Sequence, residues 1–164
     1  MAAPPSRAKI VSRPVLLALR LRLRREGRIV VFTNGCFDLV HRAHVEYLRE
    51  ARRLGDLLVV GLNDDDAVRA LKGPGRPLMT AADRAVILAE LESVDYVCVF
   101  PEVSVRGLVA DLLPDVLVKG GDYRPEEIVG REEVERTGGV VRAVSHWPGC
   151  STSSLIERVR SLPA

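Results

Sequence analysis

No stretch of this sequence approaches the roughly 20 consecutive apolar residues that cross a bilayer. Nor does a short apolar segment precede a small-residue cleavage site in the manner of a secretory leader. Cysteine is scarce and scattered, at Cys36, Cys98 and Cys150, with no Cys-x-x-Cys pair. An odd, dispersed set argues against a disulfide framework and for a reducing compartment, so a cytoplasmic location is expected. Each thiol is expected to serve as a small buried hydrophobe. Also absent are the Gly-x-x-x-x-Gly-Lys-Ser/Thr phosphate loop and the Gly-x-Gly-x-x-Gly dinucleotide fingerprint, which disfavours a P-loop kinase and a dinucleotide-dependent dehydrogenase. With no internal repeat, low-complexity tract or long linker, 164 residues are expected to build one domain around a real core.

What is present is an ordinary globular composition, 47% apolar and 28% charged, with a net charge of +2 unevenly spread. Residues 1–28 carry eight Lys or Arg against Glu26 alone, which leaves the remainder net acidic. A basic N-terminus invites a nucleic-acid arm or a transit peptide. Its pattern is plainer: Val15, Leu16, Leu19 and Leu23 recur at helical spacing after Pro14, and Gly27 stops the run. No aromatic residue interleaves the arginines, as a single-strand-binding surface requires. The expectation is a packed amphipathic helix with solvated arginines, residues 1–8 as a loose tail, a domain over 9–164, and neither nucleic acid nor membrane as a partner.

Beyond this helix, short apolar runs alternate with helical patterns. Strands are expected at 29–32, 57–62, 96–100, 116–118 and 140–144, and helices at 43–54, 64–71, 81–91, 103–112, 125–136 and 151–161. Strands rich in Val and Ile, separated by helices rather than hairpins, imply right-handed crossovers. The fold class is therefore α/β: a single doubly wound, Rossmann-like domain with a five-stranded parallel sheet and helices on both faces. Such sheets bind ligands beyond the carboxyl ends of their strands. The loops after the first, second, fourth and fifth strands thus converge on one edge.

The first of these loops is the richest. In residues 30–44, VVFTNGCFDLVHRAH, an apolar run meets the expected turn Thr33-Asn34-Gly35, then Phe37-Asp38, then His41 and His44 just before a helix. A strand that feeds a helix N-terminus through a tight turn cradles phosphate, because free N–H groups and the helix dipole both face the anion. Imidazoles placed there add donors that can carry charge. Two of the chain's three histidines lie in this window.

The other loops carry matching chemistry. Lys72 and Arg76 flank Gly73-Pro74-Gly75, a loop suited to closing cations over a phosphate. In Lys119-Gly120-Gly121-Asp122 the glycines admit a ligand close to the backbone, while Lys and Asp suit a phosphate and a sugar hydroxyl. Gly149-Cys150-Ser151-Thr152 opens the last helix with hydroxyls fit for capping or for phosphate, and His146 precedes it. The acids in 63–66 are better explained by the dipole of the following helix than by a metal.

Taken with Asp83-Arg84, Val118 to Tyr123, and Gly149 to Thr152, the stretch Gly35 to His44 resembles the nucleotidyltransferase signature Gly-x-Phe-Asp-x-x-His-x-Gly-His, and in detail the D-glycero-manno-heptose 1-phosphate adenylyltransferases. The resemblance implies transfer of AMP from ATP to a sugar 1-phosphate, giving an ADP-sugar and pyrophosphate. It implies that His41, His44 and Lys72 are catalytic. It assigns Thr33, Asn34, Gly35, Cys36, Phe37, Lys119, Gly120, Asp122, Gly149, Ser151 and Thr152 to the nucleotide, and Asp38, Asn63, Arg76 and Arg84 to the substrate, with Arg84 alternatively holding the inner framework. Mg²⁺ is expected to ride on the ATP phosphates rather than on a protein site. By the same resemblance, a homodimer and a separate heptose kinase are expected partners. Two departures stand out: Ala43 replaces the glycine between the histidines, and His146-Trp147-Pro148 stands where cytidylyltransferase relatives carry an arginine. The alternatives are a glycerol 3-phosphate-type cytidylyltransferase, an archaeal-type FAD synthetase, and a non-catalytic nucleotide-binding subunit.

Overall fold

In the computed structural model, which describes residues 6–121, 123–144 and 151–163, the valine-rich runs form a parallel sheet: β1 (Val30–Gly35), β2 (Leu57–Asn63), β3 (Tyr96–Phe100), β4 (Val116–Gly120) and β5 (Val140–Val144), in the order β3-β2-β1-β4-β5. Around it run α1 (Arg13–Arg25), α2 (Arg42–Arg52), α3 (Asp65–Lys72), α4 (Ala81–Glu90), α5 (Arg106–Leu112), α6 (Arg131–Arg136) and α7 (Thr152–Arg160). The chain steps outward from β1 to β3 and then returns to lay β4 on the other side of β1. The reversal of order therefore falls between β1 and β4, where this class of sheet opens a crevice.

The period of two in each strand divides the core between the faces. Val31, Leu58, Val60, Leu62, Val97 and Val118 pack with Tyr47, Leu48 and Ala51 of α2 and Ala85, Leu88 and Ala89 of α4. Val30, Phe32, Val59, Cys98, Phe100 and Leu117 face the other way, onto Leu16 and Leu23 of α1, Leu108, Val109 and Leu112 of α5, and Val134 of α6. Helices thus cover both faces. Gly61 has a packing reason: a Cβ there would stand 2.7 Å from the Phe32 ring.

Several expectations need correction. α1 buries Leu16 and Leu23, but Val15 is exposed and Arg20 is buried between the leucines. The Arg20 guanidinium donates to the carbonyls of Leu112 and Leu113 and pairs with Asp115 at 2.9 Å, which closes the end of α5 where Leu113 turns left-handed (φ 45°). The helix expected at 125–136 is two pieces, a single 3₁₀ turn at Pro125–Glu127 and α6. A 3₁₀ turn at Ser6–Lys9 spans the boundary of the expected tail at 1–8, with the Lys9 ammonium on the carbonyls of Leu91 and Val94. Residues 1–5 lie outside the described residues.

Candidate active site

β1 and β4 pair only at Val31↔Val116 and Phe32↔Leu117, and beyond that point they part. Tyr47 of α2 fills the fork. Its hydroxyl is hydrogen-bonded to the Thr33 hydroxyl and donates to the Val118 carbonyl at 3.3 Å. Gly120 must be glycine here, since a Cβ would lie 2.9 Å from the Tyr47 ring. Lys119 bridges the gap above, its Nζ donating to the main-chain oxygen and the Oδ1 of Asn34, both at 3.2 Å. The same ammonium stands 5.9 Å from the Tyr123 ring centroid. Burial holds its pKa below the ordinary lysine value, with nearby Lys72 adding to the effect.

The strand continues through the expected turn Thr33-Asn34-Gly35, and the chain reverses only at residues 36–38, where Phe37 adopts φ 44°. Gly35 is therefore not a left-handed residue; a Cβ there would sit 2.9 Å from the folded-back Phe37 ring. α2 begins at once, with His41 as its N-cap residue and His44 three positions on. The two imidazoles stack with centroids 3.9 Å apart and planes 26° apart, and the Phe37 ring lies 5.1 Å from that of His44. The His41 main-chain N–H donates to Nδ1 of His44 at 3.4 Å. Burial first, and the neighbouring His41 second, lower the His44 pKa to about 4, against a main-chain hydrogen bond at Leu39. His44 is thus neutral near pH 7. Ala43 is buried in the same first turn and its methyl lines the opening, while Arg42 is exposed and 3.8 Å from Glu46.

These elements surround one cleft of about 740 Å³ at the carboxyl edge of the sheet. His41, His44, Lys72, Lys119, Ser151 and Thr152 all line it. Residues 32–158 match the family model described as cytidylyltransferase-like. The chain belongs to the cytidylyltransferase-like family. It is similar to the bifunctional protein HldE of Syntrophotalea carbinolica (57% identity over 136 residues, 83% of this chain and 28% of the relative). The HldE of Pelobacter propionicus is 53% identical over 159 residues, covering 97% of this chain and 33% of the relative. The chain thus spans about a third of the length of these curated relatives. Among solved structures, it is similar to the lipopolysaccharide core biosynthesis protein of Thermoplasma volcanium GSS1 at 29% identity and TM-score 0.61, covering 74% of this chain and 98% of that one. The pantoate-beta-alanine ligase of Francisella tularensis, at 15% identity and TM-score 0.63 with coverage of 93% and 73%, shares the fold.

Within this cytidylyltransferase-like site, five residues assigned to ligands are held by other protein groups. Thr33 is fully buried with its hydroxyl held by Tyr47, so it does not face a nucleotide. Asp38 is buried, and its carboxylate is saturated by the Arg76 guanidinium and by the N–H groups of Leu78 and Met79 at 2.7 and 3.1 Å. It latches the 36–38 turn to the 76–79 loop, with Arg76 as the other half of the latch, and both residues line the cleft. Arg84 is completely buried. It donates to the carbonyls of Cys36 (2.6 Å), Asn63 (2.9 Å) and Met79 (3.0 Å) and pairs with Asp65 at 2.7 Å. That is the framework role, and it leaves no group for substrate. Asn63 is buried with its amide on the Glu102 carbonyl. The physical reason is common to all five: a buried polar group left without a partner is costly, so nearby protein groups satisfy it.

The remaining assignments are brought together. Lys72 is exposed at the end of α3; Asn34, Gly35, Cys36 and Phe37 line the cleft floor. Burial pushes the Cys36 thiol up, against the pull of nearby Lys72 and Arg84. The Ser151 hydroxyl caps α7 by accepting from the Ser154 N–H at 3.0 Å, and the Thr152 hydroxyl donates to the Leu39 carbonyl at 3.3 Å, which ties α7 to the loop before α2. Asp122, His146, Gly149 and Cys150 lie outside the described residues. Asp64 caps α3 through the Ala67 N–H, Asp65 holds Arg84, and Asp66 pairs with Arg69. Among the described residues no group of three or more His, Cys, Asp or Glu is arranged to hold a metal.

A further wall of the cleft carries no sequence motif: Val103, Ser104 and Val105 before α5, and Glu127, Ile128 and Val129 before α6. The topology held a usable signal. In a parallel sheet the loop after the third strand reaches the same edge as its neighbours.

Proposed function

We propose that this chain is a nucleotidyltransferase that moves the adenylyl group of ATP onto a sugar 1-phosphate, D-glycero-manno-heptose 1-phosphate, releasing pyrophosphate and forming ADP-heptose. The observation that carries it is the stacked His41–His44 pair at the start of α2 in a cleft that also holds Lys72, Lys119 and the first turn of α7. The motif resemblance and the HldE relatives support the same choice of acceptor.

The acceptor phosphate is already a nucleophile, so no strong general base is needed. The protein has to align an oxygen of that phosphate with the α-phosphorus of ATP, opposite the bond to the β-phosphate, and stabilise charge as that bond breaks. N–H groups at the start of α2 and the two imidazoles receive the phosphates. As anionic oxygens approach, His44 regains the proton that burial denies it, so positive charge appears where the leaving pyrophosphate develops negative charge. Lys72 and Lys119 bring ammonium groups to the same volume. Mg²⁺ carried on the ATP phosphates would supply further charge neutralisation there. The relatives are described as bifunctional and are about three times as long, in keeping with a kinase domain or partner that makes the 1-phosphate.

Pyrophosphate release, measured with ATP or CTP against heptose 1-phosphate or glycerol 3-phosphate, tests this reading. Release is expected with ATP and heptose 1-phosphate at least tenfold faster than with any other pair. Turnover confined to CTP and glycerol 3-phosphate would place the chain with the polyol-phosphate cytidylyltransferases. ATP binding without product from any acceptor would make it a binding subunit.

A further inference from the structure

The cleft draws its walls from both faces of the sheet, and the two walls differ in chemistry. From the α2 face come His41 and His44, joined by the hydroxyls of Ser151 and Thr152; Lys72 and Lys119 line the same volume. From the α5–α6 face come Val103, Val105, Ile128 and Val129, and, among the described residues, two polar side chains, Ser104 and Glu127. The second wall is firmly built. Ile128 is buried in the core with Val109 and Val134, and Gly130 (φ 94°) leaves no room for a side chain, since a Cβ would lie 2.7 Å from Val109.

Two acids line the cleft among the described residues, Asp38 and Glu127. Asp38 is buried and neutralised by Arg76. Glu127 is exposed: one carboxylate oxygen accepts from the Arg124 N–H at 3.3 Å, and the other has no hydrogen-bond partner among the described residues. A carboxylate repels phosphate and is a poor neighbour for a triphosphate path. What it takes well is a hydroxyl, singly or as a vicinal pair, through charge-assisted hydrogen bonds. A sugar 1-phosphate offers that combination: several hydroxyl donors on one side and a dianion on the other, matching Glu127 on one wall and the cations and imidazoles on the other.

Resting on the adenylyl-transfer reading above, we propose that Glu127 is the specificity-determining residue for the acceptor, reading ring hydroxyls of the sugar while its 1-phosphate points to the histidine side. The apolar faces of Val103, Val105 and Val129 suit the C–H face of the same ring.

The test uses the full chain, with Glu127→Gln and Glu127→Ala compared with wild type for pyrophosphate release and thermal stability. The KM for heptose 1-phosphate is expected to rise about 10- to 100-fold in Glu127→Ala and less in Glu127→Gln, which keeps an acceptor oxygen, while the KM for ATP stays within about twofold. Sugar 1-phosphates lacking one ring hydroxyl identify the contact: the deoxy analogue that Glu127 reads should be penalised in wild type and not in Glu127→Ala. A rise in the KM for ATP alone would show that the carboxylate reads the nucleotide, and unchanged constants for both substrates would show that it reads neither. Either result overturns the proposal. Should Glu127→Ala fail to fold, Glu127→Gln carries the same comparison. A wild-type enzyme silent with every sugar 1-phosphate would instead sink the adenylyl-transfer reading, and the two failures are distinguished by whether wild type turns over.

Discussion

Replacing His44 with alanine is expected to lower pyrophosphate release on the order of 10³-fold while leaving the fold intact. His44 stacks on His41 and accepts from the His41 main-chain N–H, so it fixes its partner, and in the proposed reaction it also faces the phosphates. Alanine is a good helix former at the third position of α2, and the structural loss is one 3.4 Å hydrogen bond at a helix start, worth about 1 kcal/mol, together with the ring contacts to His41 and Phe37. The catalytic loss is larger because charge that appears only in the transition state loses its nearest donor. Single-turnover measurements with saturating ATP and the melting temperature check both parts. Turnover near wild type in a folded His44→Ala protein would remove the histidine pair from the mechanism.

Arg84→Ala carries the largest expected effect on stability. The guanidinium has no solvent exposure and joins four segments: the turn at Cys36, the end of β2 at Asn63, the loop at Met79 and the first turn of α3 at Asp65. Its removal strands three carbonyls and one carboxylate and opens a cavity beneath the cleft floor. Breaking such a buried arrangement from one side costs about 3–5 kcal/mol. In a chain of this size that lowers the melting temperature by about 10 °C or more. Lysine is expected to rescue little, because one ammonium cannot reproduce donors fixed in a plane. A drop of less than about 3 °C in a calorimetric scan would show that the hub is dispensable.

These two arginine and histidine cases mark what the sequence makes legible. The alternation of Val- and Ile-rich runs with helical patterns carries the α/β class, because strand and helix periods are local. The His41–His44 pair, Lys72, Lys119, Ser151 and Thr152 are legible as cleft residues, because any loop at the carboxyl end of a parallel strand must face the same edge. The order of the strands is not local and is absent from the pattern. The same holds for Arg20, which looks like one more solvated arginine until its partners at 112–115, about 90 residues away, are in place. Asp38, Arg76 and Arg84 read as substrate contacts because motif position says nothing of which protein groups compete for them. Nothing in the sequence pattern marks Tyr47, yet its hydroxyl holds the fork between β1 and β4 that makes the cleft.

NMR titration of the histidine rings shows whether the imidazole pair at the start of α2 meets the nucleotide phosphates. The chain has only three histidines, His41, His44 and His146, so the signals are separable by single substitutions. Without nucleotide, His44 is expected to titrate near pH 4, below the ordinary histidine value of about 6.5, because burial and His41 both disfavour its charged form. With saturating ATP the sign reverses: phosphate oxygens favour the imidazolium, so the His44 pKa should climb by at least one unit, and the His41 resonances should move with it. Bound ATP that leaves both rings titrating as in the free protein would contradict the claim.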